Sequence, residues 1–91
     1  MKKRLRIKIK GHVQGVFFRH NIREKAFIYD LKGWVRNSKD GSVEAVFEGE
    51  KERLEKMLKF CKAGPIVARI DEVKVEWSKS KNEFETFEII E

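Results

Sequence analysis

The residues with the means to do chemistry lie in two places: the run Gly11-His12-Val13-Gln14-Gly15-Val16-Phe17-Phe18-Arg19, and Asn37. A glycine-punctuated turn that feeds a helix leaves several backbone N–H groups unpaired and converging on one spot, a ready site for an anion. Arg19 would add a planar, permanently charged fork matched to phosphate oxygens. Together they read as a place to hold a phosphoryl group. The Asn37 side chain can accept a hydrogen bond from water through its oxygen, yet it is no general base near neutral pH. Taken singly, each residue has a plainer role. Gly11 would end a strand, Gly15 would permit a tight turn, and Arg19 would be one more surface cation. Asn37, beside Ser38-Lys39-Asp40-Gly41, would be turn chemistry, and Gln14 reads as a solvated loop side chain contributing mostly its backbone. Their joint occurrence is what favours a site.

Positioning these groups falls to the elements on either side. Leu5, Ile7 and Ile9 alternate with Arg6, Lys8 and Lys10, the pattern of a half-buried strand. Residues 20–31 place Ile22, Ala26 and Tyr29 at helical spacing, with Gly33 just past the end. Asp30 falls near that terminus, where glycine or asparagine would suit a left-handed backbone better. Trp34 to Asn37 reads as a strand, Ser38 to Gly41 as a hairpin turn, and Val43, Ala45 and Phe47 as the return strand, ended by Gly49. Leu54, Met57, Leu58 and Cys61 then mark an amphipathic helix, stopped by Gly64-Pro65. A strand with Val73, Val75 and Trp77 on one face follows. Phe87 and Ile89 suggest a short last strand, with Phe84 out of phase at a bend or bulge. This order predicts an α+β, ferredoxin-like βαββαβ sandwich: an antiparallel sheet with two helices on one face and a short extra C-terminal strand. In such a fold the loop after the first strand and the end of Asn37's strand share one sheet end. Phe17, Phe18, Trp34, Phe47 and Trp77 are expected to pack in the core or on a sheet face.

Ninety-one residues, 41% apolar and 40% charged, make a single domain spanning 1–91 with a modest core. No run is long enough to cross a bilayer, and the N-terminus lacks a secretory-signal pattern. Cys61, alone, can form no internal disulfide. A cytoplasmic protein with no membrane partner is the expectation, and a monomer, because no apolar surface stripe is evident. The net charge is +6, with nine Lys/Arg against one Asp/Glu in residues 1–25 (+8) and 12 against 14 in the rest (−2). That excess around the glycine run would favour an anionic ligand, and nucleic acid equally. Lys and Glu dominate, while Asn and Gln total four, a bias typical of thermostable proteins.

Gly11-x-Val13-Gln14-Gly15-Val16-x-Phe18-Arg19 resembles the first motif of the acylphosphatase family. Gly33-Trp34-Val35-Arg36-Asn37, continuing to Gly41, Val43 and Gly49, resembles the second. Their order and separation agree too, as do the length and the expected topology. Gly64-Pro65 through Ala68-Arg69-Ile70-Asp71 is likewise similar, so the resemblance covers nearly the whole chain. It implies hydrolysis of small-molecule acyl phosphates to a carboxylate and inorganic phosphate, with no metal, cofactor or covalent intermediate. It implies further that Arg19 is the phosphate-binding arginine and that Asn37 orients the attacking water. Backbone amides of Gln14, Gly15, Val16, Phe17, Phe18 and Arg19 would form the cradle. His12 and Phe17 hold variable positions and inherit no role. Asp30 departs from the glycine of many relatives, at the helix end and away from the chemistry.

Such a mechanism is coherent, because the carboxylate of a mixed anhydride leaves readily. The protein has only to position water and stabilise the phosphoryl oxygens, which preformed loop amides do with little reorganisation. Other templates fail on inventory. Two His and one Cys, none at ligand spacing, make no zinc site, and the P-loop signature is absent. Cys61 falls on a helix's buried face with no evident base. His12 and His20 flank the loop and are expected to be exposed or hydrogen-bonded rather than catalytic. A rival reading is a basic ferredoxin-like module for single-stranded RNA. The third strand, Ser42 to Glu48, carries acidic groups where stacking aromatics would be needed. A ligand-sensing domain that has lost its chemistry would have no reason to keep both Arg19 and Asn37.

Overall fold

The computed structural model describes residues 1–90. β1 (Lys2–His12) buries Leu5, Ile7 and Ile9 completely and sends Arg4, Arg6, Lys8 and Lys10 to the opposite face, as a period of two requires. α1 (Phe18–Ile28) starts two residues before the helical spacing implied, because Phe18 itself is buried with Ile22 and Ala26. Beyond its end Asp30 has φ +54, the left-handed geometry that glycine or asparagine would adopt more easily. β2 (Lys32–Asn37) and β3 (Val43–Glu50) form the hairpin, and β3 runs through Gly49 rather than stopping there. Its turn is closed by Asp40, whose carboxylate accepts from the Ser42 N–H at 3.1 Å and hydroxyl at 2.6 Å. α2 (Lys51–Ala63) ends at Gly64, whose N–H reaches the Phe60 carbonyl at 2.8 Å. β4 (Arg69–Lys79) and β5 (Phe87–Ile89) complete the chain.

The strand order is β4-β1-β3-β2-β5, and β1–β3, β1–β4 and β2–β3 are antiparallel. The four strands of the βαββαβ frame are antiparallel as expected, and the extra C-terminal strand joins them at one edge. β5 runs parallel to β2, pairing Gly33 with Phe87 and Val35 with Ile89, so the sheet is mixed. After β4 the chain crosses beneath the sheet to the far edge and re-enters in β2's direction. Phe84 lies in that crossing, its ring 5.3 Å below the Arg4 guanidinium. α1 covers β2 and β5, while α2 lies over β1 and β3. Between helices and sheet, Phe47 stacks on Phe87 at 5.3 Å and Phe18 meets Phe60 edge-on at 6.4 Å. β4, an edge strand, is left partly uncovered, and Val75 and Trp77 remain well exposed. Among the described residues no helix is long and apolar enough to cross a membrane.

The helix-free face changes the meaning of the N-terminal charge. Arg4 pairs with Glu48 at 3.2 Å and also with Glu83, and Arg6 pairs with Glu44 at 3.1 Å. Lys8 lies 2.9 Å from Asp40 and Lys10 4.0 Å from Glu72. The basic stripe is thus neutralised in place by acids from neighbouring segments, and it does not surround the glycine run.

Candidate active site

The site begins where β1 bends. Its register on β4 slips between Lys10 and Gly11, a bulge that turns the strand end. Gly11 has φ +138, and a β-carbon there would collide with the Arg69 carbonyl oxygen. Only glycine lets β1 stay paired while its end swings away. Beyond it Val13 and Val16 are buried and pin the loop to the core, while Gly15 between them is exposed with φ +75. Phe17 is also left-handed, at φ +62 and ψ +18, and serves as the N-cap of α1 with no side-chain capping bond.

This loop leaves its N–H groups free. Among the described residues nothing accepts from the backbone N–H of Gln14, Gly15, Val16 or Phe17, and the first helical bond runs from the Asn21 N–H to the Phe17 carbonyl at 3.0 Å. The amides of Phe18, Arg19 and His20 lie in the unbonded first turn. No acidic residue occupies that turn to offset the positive end of the helix.

Arg19 sits half-buried in the same turn. Of the seven arginines, Arg4, Arg6, Arg36, Arg53 and Arg69 are paired with carboxylates. Arg19 has no such partner among the described residues, so its guanidinium is available to an anion. Asn37, the last residue of β2, follows Val35 by two and leaves the sheet on the same, helix-covered face. Its neighbours Arg36 and Ser38 both bond Glu44 Oε1, at 2.9 and 2.8 Å. The Arg36 hydrogen bond, aided by Ser38 and Arg6 against partial burial, holds the Glu44 carboxyl below the usual carboxylate range. With its strand end clamped this way, Asn37 keeps its Oδ1 buried, and that atom has no hydrogen-bond partner among the described residues.

Gln14 behaves otherwise than expected. Its side chain is half-buried, and Nε2 donates to the carbonyls of Ser38 at 2.8 Å and Ser42 at 3.0 Å. It lashes the loop to the hairpin turn that follows Asn37.

A concavity of about 260 Å³ results, lined by Val13, Gly15, Phe17, Phe18, Arg19, His20, Asn37 and Ile89. Five of the residues singled out in the sequence therefore share it: Gly15, Phe17, Phe18, Arg19 and Asn37. Gln14 and Val16 do not line it. Phe17, expected to pack, is 79% exposed instead. His20, noted in the sequence as flanking the loop but given no site role, also lines the concavity, and Ile89 was not anticipated because it arrives only through the pairing of β5 with Asn37's strand. His20 is exposed, its Nε2 3.3 Å from Glu24 Oε1. Cys61 is fully buried, and burial pushes its thiol pKa well up, so it offers no thiolate. Among the described residues no cluster of three or more His, Cys, Asp or Glu side chains could hold a metal ion.

Comparison with known proteins identifies the family. The acylphosphatase family model matches residues 5–89. An acylphosphatase of Aeropyrum pernix is 51% identical over 87 residues, or 94% of this chain and 86% of that protein. One of Pyrobaculum islandicum is 48% identical over 88 residues, or 96% and 93%. The crystal structure of acylphosphatase from Bacillus subtilis matches with a TM-score of 0.93 at 32% identity, covering 98% of this chain and 99% of that one. On fold, motifs and full-length similarity alike, the chain belongs to the acylphosphatase family.

Proposed function

We propose that the protein hydrolyses the carboxyl–phosphate bond of acyl phosphates by in-line attack of a water that Asn37 orients. The phosphoryl group is held by Arg19 and by the backbone amides of the Gln14–Arg19 loop, of which Gly15, Phe17, Phe18 and Arg19 line the concavity. The water oxygen forms a bond to phosphorus as the P–O bond to the acyl group breaks, and the electron pair leaves on the carboxylate. Asn37 Oδ1 accepts one water proton as a hydrogen bond and fixes the line of approach. A phosphoryl oxygen of the substrate takes the transferred proton, giving inorganic phosphate. Arg19 and the free amides stabilise the equatorial oxygens through the transition state.

The observation that carries this reading is the pairing of two unsatisfied groups on one concavity: a guanidinium with no carboxylate partner and a buried amide oxygen with no hydrogen-bond partner. Buried polar atoms rarely go unpartnered, and a bound phosphoryl group with its attacking water would satisfy both. Nothing in this scheme requires a divalent cation. The test is hydrolysis of acetyl phosphate in the presence of a chelator. Activity should persist, inorganic phosphate should compete, and Arg19→Ala and Asn37→Ala should each lower kcat at least about 10²-fold. Near-normal turnover in either folded variant would refute the role given to that residue, and a pH–rate profile following an enzyme histidine or carboxylate would refute the proton transfer.

The nucleic-acid reading loses its main support on the open sheet face, where Arg4, Arg6, Lys8 and Lys10 are occupied by acids of the chain. Steeply salt-dependent RNA binding in a protein without hydrolase activity would restore it.

A further inference from the structure

Phe17 is the one cradle residue that phosphate binding leaves unexplained. The cradle asks only a backbone N–H of this position. Its left-handed conformation would be unstrained in glycine and is a genuine outlier for a bulky side chain. Strain of this kind is commonly offset by packing, yet Phe17 is 79% exposed, while the unstrained Phe18 beside it is the one that packs. The ring has neither an aromatic nor a cationic partner among the described residues. It does line the concavity with Arg19 and Asn37, and so does Ile89, itself 38% exposed. An apolar border, part of it on a strained backbone, therefore adjoins the groups that would hold the phosphoryl end.

An acyl phosphate is two-ended: an anionic phosphoryl group joined to a carboxyl carbon whose substituent can be wholly apolar. With the phosphoryl oxygens in the loop, the acyl substituent is the part left for the apolar border. We propose that Phe17, seconded by Ile89, receives this substituent and selects acyl phosphates bearing a flat or extended hydrocarbon over those of acetyl size. The proposal rests on reading the site as one for acyl phosphates. Removing water from the exposed ring and from the substituent together supplies the preference.

The test compares benzoyl phosphate with acetyl phosphate in the wild type, in Phe17→Gly, which suits the left-handed backbone, and in Phe17→Leu, which keeps bulk without the ring. In parallel, calorimetry gives the Kd of benzylphosphonate and of methylphosphonate, neither of which can be hydrolysed. Phe17→Gly should lower the benzoyl-to-acetyl ratio of kcat/KM about tenfold, the scale of one aromatic contact, mostly through KM. The affinity ratio of the two phosphonates should fall in step, with Phe17→Leu intermediate. Ratios unchanged in both variants would overturn the proposal and leave Phe17 a purely backbone role. A wild type that turns over neither acyl phosphate would sink the hydrolytic reading alone, since the phosphonate pair would still decide what Phe17 does.

Discussion

Gln14→Ala tests whether the loop and the Asn37 turn act as one unit. The substitution deletes two hydrogen bonds, at 2.8 and 3.0 Å, from a half-buried amide to the carbonyls of Ser38 and Ser42. Each such bond contributes about 0.5–1.5 kcal/mol net, so the pair amounts to about 1–3 kcal/mol. In a domain of this length each kcal/mol moves Tm by about 4–8 °C, and the expected fall is about 5–20 °C. Val13 and Val16 still anchor the loop, so the cradle survives, but its spacing from Asn37 loosens. Errors of placement are costly for an oriented water, and kcat for acetyl phosphate should drop about tenfold or more. Gln14→Glu sharpens the test: it keeps the shape, removes both donors and sets a carboxylate against two carbonyl oxygens, so it should lose more than alanine does. Thermal denaturation followed by circular dichroism and phosphate release from acetyl phosphate provide the two readouts. A Tm within about 2 °C of wild type, together with an unaltered kcat, would show that the brace is incidental.

Three further outcomes follow from the geometry. Gly11→Ala should cost about 3 kcal/mol in urea unfolding, because the new methyl group meets the Arg69 carbonyl and the bulge has no room to yield. Asp30→Gly should raise stability by about 0.5 kcal/mol: it relieves a left-handed residue and gives up only an exposed 3.4 Å pair with Arg53. Glu44 supplies a pH signature, since its carboxyl is held below the ordinary value of 4.5 in the folded state, chiefly by Arg36. Its contribution is complete above that pH and disappears as the pH falls through the folded value, so Tm should drop on acidification from about pH 6 to about pH 3, and less steeply in Glu44→Gln.

What could be read from the residues depended on how local the signal was. The alternation of Leu5, Ile7 and Ile9 and the spacing of Leu54, Met57 and Cys61 carry their own periods, so β1 and α2 were legible without knowledge of their partners. Arg19 and Asn37 were legible as a pair because both lie at the same end of a βαβ-β frame whose strand directions follow from connection lengths. The direction of β5 was not, since it depends on where the chain crosses beneath the sheet. Gln14 looked like a solvated polar residue because its two acceptors, Ser38 and Ser42, come close only in the folded chain. Phe17 misled for the opposite reason: its type argues for burial, whereas its place on a left-handed cap holds it in water. Charge counting failed similarly, because composition cannot say that Lys8 will find Asp40.

The interleaving of the strands has a bearing on cooperativity. β1 is flanked by β3 and β4, and β2 by β3 and β5, so neither half of the polypeptide contains a finished sheet. The concavity borrows from the first strand's exit, the second strand's end and the last strand of all. No smaller folding unit can therefore keep it complete, although its loop and edge strand open more readily than the central strands. An anion held there restrains the entire domain, and its binding energy adds to global stability as much as to local order.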